Sequence, residues 1–481
     1  MSVFRIGGVL AYHLDGSPVA PVNPTFHVTI EVAIVGGGGC GLCTALAARD
    51  WGVNAVVFER DNSPSGSTGM STGLIPGALS SLQRARGIVD SIESYSEDIL
   101  RKAKGQTDVA LVNTLARESG YTIDWLTERH RVPLTFVDSF IYPGHSQMRM
   151  HGTPNRTGSE LMGALIRATT SAGADVLTGA LVTDLYVDED GKIRGLRALR
   201  RDGFVEDIGC EALVLACSGF AGNQEMVADL IPEISRAELF GHAGNQGDAV
   251  AWGRALGALI CDLHSYQGHG GLAVGHRIPI LWPLIVKGGI QVNCEARRFA
   301  DETRGYSEQA VDVIAQPGHC AWDVYDQRIH NMMLEFQDYR DALEAGAIIT
   351  AITVEELAQV MSVPARALRE TLSEVTDLAR AGKRCPFGRI FITEQLLKPP
   401  FCAAKVTGAL FHTQGGLAVD EHARVLRSDG KSFPNLFAGG GAARGVSGPG
   451  CWGYIAGNGL LTATTLGRLA GESAGRQIRG R

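Results

Sequence analysis

Glu31-Val-Ala-Ile-Val35 is an almost unbroken apolar run that ends abruptly in Gly36-Gly-Gly-Gly-Cys-Gly41. A short run of this kind reads as a buried strand, and the alanine-rich stretch that follows to Arg49 reads as a helix. A second run, Asn54 to Phe58, ends in Glu59, so residues 31–59 predict one complete βαβ unit. Apolar spacing in Ile99 to Ala103 and Leu111 to Trp125 predicts helices across 84–131, and another is expected over 160–172. Alternation from Asp175 to Arg200 around Asp190-Gly191 predicts a strand and hairpin. Ala212 to Ala216 is a further buried strand, and Gly247-Asp248 opens a helix to Leu259.

From residue 262 to residue 400 the pattern changes to more aromatic and charged residues, with helices separated by proline turns. After Pro399-Pro400 the glycine-rich, strand-rich pattern returns and ends in a helix expected over 458–469. The arrangement is α/β: a Rossmann-like domain in two parts, 1–261 and 401–481, interrupted by a smaller α+β capping domain at 262–400. The first thirty residues are expected to form a lead-in strand.

The chain has 481 residues, 45% apolar and 20% charged, with a net charge of -7, which excludes a disordered or fibrous protein. An isoelectric point near 6.0 and the lack of a basic run give no footprint for nucleic acid. No apolar stretch approaches the ~20 residues of a spanning helix, so no membrane span is expected. Ten cysteines without regular spacing suit a reducing compartment, and a cytoplasmic location is expected. Cys40-x-x-Cys43 reads as packing inside the turn. The histidines at 145, 151, 264, 269 and 276 lack metal-ligand spacing, and no metal is expected.

Gly36-x-Gly38-x-x-Gly41 lies between a strand and a helix, the context in which such glycines bind a pyrophosphate. Gly36 permits the turn, Gly38 lets backbone approach the phosphates, Gly41 allows close packing, and the helix N-terminus presents free N–H groups. Glu59, eighteen residues past Gly41, is placed to hold the adenosine ribose. Ser65-Gly66-Ser67-Thr68-Gly69-Met70-Ser71-Thr72-Gly73 follows, with donors for the rest of a dinucleotide.

With these motifs the sequence resembles the flavoproteins of the fumarate reductase and 3-ketosteroid Δ1-dehydrogenase superfamily. The resemblance extends through "LVLACSGFAGN" at 213–223, Gly247-Asp248, "RRFADE" at 297–302, "HTQGG" at 412–416, "NLFAGGGAARG" at 435–445 and "GNGLL" at 457–461. It implies FAD, with a substrate held between flavin and cap; the Ser/Gly segment has no histidine to serve as an attachment point, so the FAD is expected to be dissociable. The cofactor residues it implies, beside the glycines and Glu59, are Arg60, Ser67, Thr68, Ser71, Thr72, Gly73, Val182, Ser218, Gly219, Asp248, Gly415, Gly440, Gly441, Asn458 and Leu460. A helix N-terminus at Asn458-Gly459 would stabilise the anionic reduced flavin.

The branches of the superfamily differ in their catalytic side chains. In fumarate reductases an arginine stands four residues after the glutamate of the "RRFADE" motif; here that place holds Tyr306, and in the ketosteroid branch it holds a tyrosine base. Arg304, two residues earlier, would help Tyr306, or would restore the arginine role after a slip in register. The substrate-clamping arginine of fumarate reductases has no counterpart in Gly448–Tyr454, although Arg444 lies nearby. The tyrosine that ketosteroid enzymes carry in this loop falls at Ser447 or Gly448, so Ser447, backbone N–H groups or Tyr454 would polarise the ketone. His412 would either donate to the ketone or hold the flavin loop. His145, Arg149 and His151 form a polar segment that could line the cavity or pack against the cap.

The expectation is therefore a soluble FAD enzyme that desaturates a cyclic ketone α,β to its carbonyl, with an external electron acceptor. A fumarate reductase-like enoate reductase is the same-fold alternative. A non-catalytic electron-transfer subunit would instead have an occluded flavin and no substrate-sized cavity.

Overall fold

The computed structural model describes residues 9–22 and 24–480; residues 1–8, 23 and 481, including part of the expected lead-in, lie outside the described residues. Its centre is a ten-stranded mixed sheet. Strand Val28–Val35 pairs in parallel with Ala55–Phe58 on one side and Val205–Leu215 on the other, and the latter pairs with Ser432–Ala438. Val32, Ala33 and Ile34 are fully buried, as a parallel strand covered on both faces requires. The chain thus leaves this sheet and returns to it more than 200 residues later, bringing Phe437-Ala438 beside Val214-Leu215.

Helices Gly39–Asp50 and Asn458–Arg479 pack on each other against the sheet. Their approach depends on missing side chains. A Cβ at Gly467 would lie 2.5 Å from the Cys40 carbonyl oxygen, and one at Gly471 would lie 2.2 Å from that of Thr44. Cys40 and Cys43 are buried free thiols in this contact, and burial pushes the Cys40 thiol up to about 12. The C-terminal helix runs ten residues past its expected end. Arg468 anchors it through Glu118 and Glu472, each at 2.6 Å.

A second, six-stranded sheet is built around Phe401–Thr413. At its Phe401 end this strand pairs with Cys320–Asp326 and Ile348–Ala351; at its Thr413 end it pairs with Tyr266–Ala273. Strands between 238 and 413 contribute, a wider window than the segment 262–400 picked out by composition. Helices Tyr306–Ile314, Gln337–Glu344 and Ala365–Ala381 complete this half. In the 84–131 region, helices Ile92–Lys102 and Val109–Asp124 form, the second continuing as a π-turn to Arg129.

Candidate active site

The turn after the first parallel strand is closed by glycine. Gly36 has φ +104°, and a Cβ on Gly41 would lie 1.9 Å from the Gly36 carbonyl oxygen. Gly38 is different: nothing lies nearer to a Cβ built there than Thr68 Oγ1 at 4.0 Å. That space, at the mouth of a helix with no side-chain cap, is a cradle for an anion. Glu59 is buried; its carboxylate accepts N–H groups from Gly37 and Asp61, each at 2.8 Å. A cavity of about 110 Å³ is lined here by Gly36, Gly38, Glu59, Arg60, Val182 and Asp248. Arg60 donates to the Gly244 carbonyl and stands 4.0 Å from Asp248, whose carboxyl burial raises.

This cavity shares Ser67, Thr68, Ser218 and Gly441 with a second one of about 170 Å³, so the two form one continuous trench. Ser71, Thr72 and Leu460 line the second cavity. Gly73, Gly219 and Gly415 lie behind it, where a Cβ would lie 2.7, 2.0 and 2.2 Å from Thr157, Thr413 and Asp262 respectively. Gly440, at φ +57°, lines the first cavity. Asn458 is fully buried and lines neither; its amide donates to Ser447 Oγ at 2.7 Å. An extended dinucleotide fits a groove so constructed, with glycines beneath it and hydroxyl donors along its edge.

The second cavity continues beyond the dinucleotide trench between aromatic walls. Tyr142, Phe240, Trp282 and Phe411 line it, and Tyr306 and Tyr454 face each other at 5.8 Å between ring centroids, inclined by 62°. Burial raises both phenols, most strongly Tyr306. Tyr454 accepts the Gly459 N–H at 3.4 Å, at the first turn of the C-terminal helix, which together with a hydrogen bond from Tyr306 pulls its phenol back down. Two histidines complete the polar end. His412 packs against Gly459, and burial depresses it to about 4. His269, depressed by burial to about 3, stacks on Phe411 at 5.1 Å; its Nδ1 accepts the Gly271 N–H at 3.1 Å, which leaves the proton on Nε2.

Among the described residues the cavity wall contains no arginine or lysine, and its one carboxyl belongs to Asp338. Arg304 is not brought there: it is half-exposed, paired with Asp312, and only its carbonyl is engaged inward, by Lys102. The expectation that Arg304 assists Tyr306 is corrected accordingly, because the glycine between them turns the chain at φ +149°. Ser447 is likewise not in the wall; it is buried, donating to Gln414 Oε1 at 3.2 Å and accepting from Asn458. Arg444 is held by Asp262 and Asp108 at 2.6 and 3.2 Å. Of the 142–151 segment only Tyr142 and Met150 line the cavity; Arg149 is buried between Asp90 and Asp98 at 2.7 and 2.6 Å.

His269, Trp282 and Asp338 escaped the sequence reading, whereas Tyr142 opens the polar segment 142–151 that it offered as a possible cavity lining. For His269 a signal existed: Gly268, Gly270 and Gly271 surround it in a strand, a mark of close approach by another element. A Cβ on Gly268 would lie 2.8 Å from Ala310 in the helix that begins with Tyr306. Among the described residues no cluster of three or more potential metal ligands is found, and no helix is long and apolar enough to cross a membrane.

Comparison with known proteins agrees with this construction. The FAD binding domain family matches residues 31–460. A probable fumarate reductase of Shewanella frigidimarina is 27% identical over 454 residues, spanning 93% of this chain and 75% of the relative. A urocanate reductase of Eggerthella lenta is 24% identical, spanning 95% and 76%. A flavocytochrome c3 fumarate reductase in an open conformation superposes with a TM-score of 0.78 at 26% identity, covering 94% of this chain and 79% of that one. The 3-ketosteroid-Δ4-(5α)-dehydrogenase of Rhodococcus jostii RHA1 shares the fold, with a TM-score of 0.75 at 22% identity and coverage of 94% and 98%. The chain therefore belongs to the FAD binding domain family and is an FAD-dependent oxidoreductase.

Proposed function

We propose that this protein desaturates a cyclic ketone next to its carbonyl, with Tyr306 receiving the α proton. In this reading residues 262–400 cap an FAD-binding body made of 1–261 and 401–481. The observation that carries it is the pair Tyr306 and Tyr454 in an aromatic wall without arginine or lysine. Such a wall suits a neutral ring. A small dicarboxylate would enter it without a cationic partner, at a large desolvation cost.

FAD, when bound, supplies the hydride acceptor at flavin N5. The protein's share is to position the ketone and manage the proton. His269 Nε2–H is a neutral donor for the carbonyl oxygen, where an enolate would develop, and His412 lines the same cavity with Nδ1 at the Thr413 carbonyl; one such donor is worth about 2.7–4 kcal/mol. Tyr306, acting as its phenolate, takes the proton and becomes a neutral phenol; Tyr454, held by the Gly459 N–H, shares the phenolate's charge before the transfer. The aromatic rings exclude water from the reacting carbons.

Enoate reduction is the second reading, favoured by the names of the sequence relatives. Anaerobic titration of the oxidised holoenzyme separates the two. Bleaching of the flavin by a saturated cyclic ketone supports desaturation. Failure of every ketone, with reoxidation of the reduced protein by fumarate-like acids, would favour the enoate reading.

A further inference from the structure

One ionisable side chain in the cavity wall has no part in the chemistry above. Asp338 lines the same cavity as Tyr306 and Tyr454, from the helix Gln337–Glu344. Its flanking residues fix it there. Phe336 is buried against Phe140 at 6.2 Å, and the Tyr339 hydroxyl is bonded at 2.8 Å to both Tyr325 and His330. Burial, reinforced by the neighbouring acid Asp341, pushes the Asp338 carboxyl up to about 7, and no cation or hydrogen bond among the described residues offsets it. A half-buried carboxyl facing a cavity lined by aromatic rings gains from a ligand group that donates to it. Asp338 enters from the helix Gln337–Glu344, whereas Tyr306 begins the helix Tyr306–Ile314 and pairs with Tyr454, and among the described residues no hydrogen bond joins Asp338 to either ring.

We propose that Asp338 sets substrate specificity: it accepts a hydrogen bond from a hydroxyl or ammonium group remote from the reacting carbonyl, and repels a carboxylate at that position. The proposal rests on the neutral-ring reading of the cavity, and it deepens that reading by assigning the substituent.

The test is equilibrium binding of phenols, which the enzyme cannot desaturate. 4-Methylphenol, 4-(aminomethyl)phenol and 4-hydroxybenzoate are titrated into oxidised holoenzyme at about pH 8, one unit above the Asp338 value, following the flavin absorbance. The amine is expected to bind tightest and the carboxylate weakest, with roughly tenfold or more between them. Asp338→Asn is expected to compress that range to about threefold, and Asp338→Ser to do the same if the first variant fails to fold or to hold flavin. A wild-type order indifferent to charge, ratios unchanged in the variants, or no phenol binding at all would overturn the proposal. If the charge order holds but no cyclic ketone bleaches the flavin, the reaction assignment fails and the role of Asp338 stands.

Discussion

As the proposed base Tyr306 would act only as its phenolate, and its surroundings disfavour that form. Burial raises it first, and Tyr454 and Tyr142 raise it further. The rate of flavin reduction by ketone should therefore climb about tenfold per pH unit through neutrality, without a plateau below pH 10. His412 and His269, depressed to about 4 and 3, stay neutral above about pH 5 and add no inflection near 6.5. Stopped-flow reduction between pH 6 and 9 measures this; a flat profile would contradict it. A second residue-scale prediction concerns Asp323, whose buried carboxyl is raised from 3.8 to about 8 while accepting from Gln291 at 2.8 Å. A raised carboxyl contributes stability when protonated and loses it as pH rises from 3.8 towards 8. Asp323→Asn keeps the acceptor and removes the titration, so its urea midpoint should fall less over that range than the wild type's. Tyr306 was legible at this scale because it stands four residues from Glu302 in a recognisable motif. Asp338 and Trp282 were not, because nothing local distinguishes a cavity-facing side chain from one in a core.

At the scale of elements, the βαβ unit was legible almost residue by residue. The strand expected at 31–35 begins at Val28, and the helix expected to reach Arg49 ends at Asp50. Gly41→Ala would force its methyl onto the Gly36 carbonyl, and the variant should lose bound FAD and solubility together, which absorbance at 450 nm of the purified protein reports. Ser447 was misplaced because the sequence shows a hydroxyl beside a glycine loop but not which way it turns. Its hydroxyl connects Asn458 to Gln414 inside the protein. Ser447→Ala should cost about 1–3 kcal/mol in unfolding free energy by leaving the Asn458 amide unpaired. The inserted half was the least legible. Its long strand Phe401–Thr413 pairs with segments up to 171 residues away, and composition registers the change in character without the pairings.

At the scale of the whole molecule, a glycine-lined cofactor trench opens into an aromatic cavity with a tyrosine pair at one end. The relatives named as fumarate reductases align along nearly its full length, yet among the described residues this cavity wall has no arginine or lysine to meet a dicarboxylate. Similarity therefore fixes the cofactor and the oxidoreductase class, and the wall is the observation on which the proposed neutral-ketone substrate rests. The most direct test compares wild-type and Tyr306→Phe holoenzymes in anaerobic flavin reduction by a saturated cyclic ketone. The account predicts that the wild type bleaches, and that the variant binds the ketone with similar affinity but reduces its flavin at least about 10²-fold more slowly. Equal reduction rates in the two proteins, or no bleaching of the wild type by any ketone while fumarate reoxidises its reduced flavin, would contradict it.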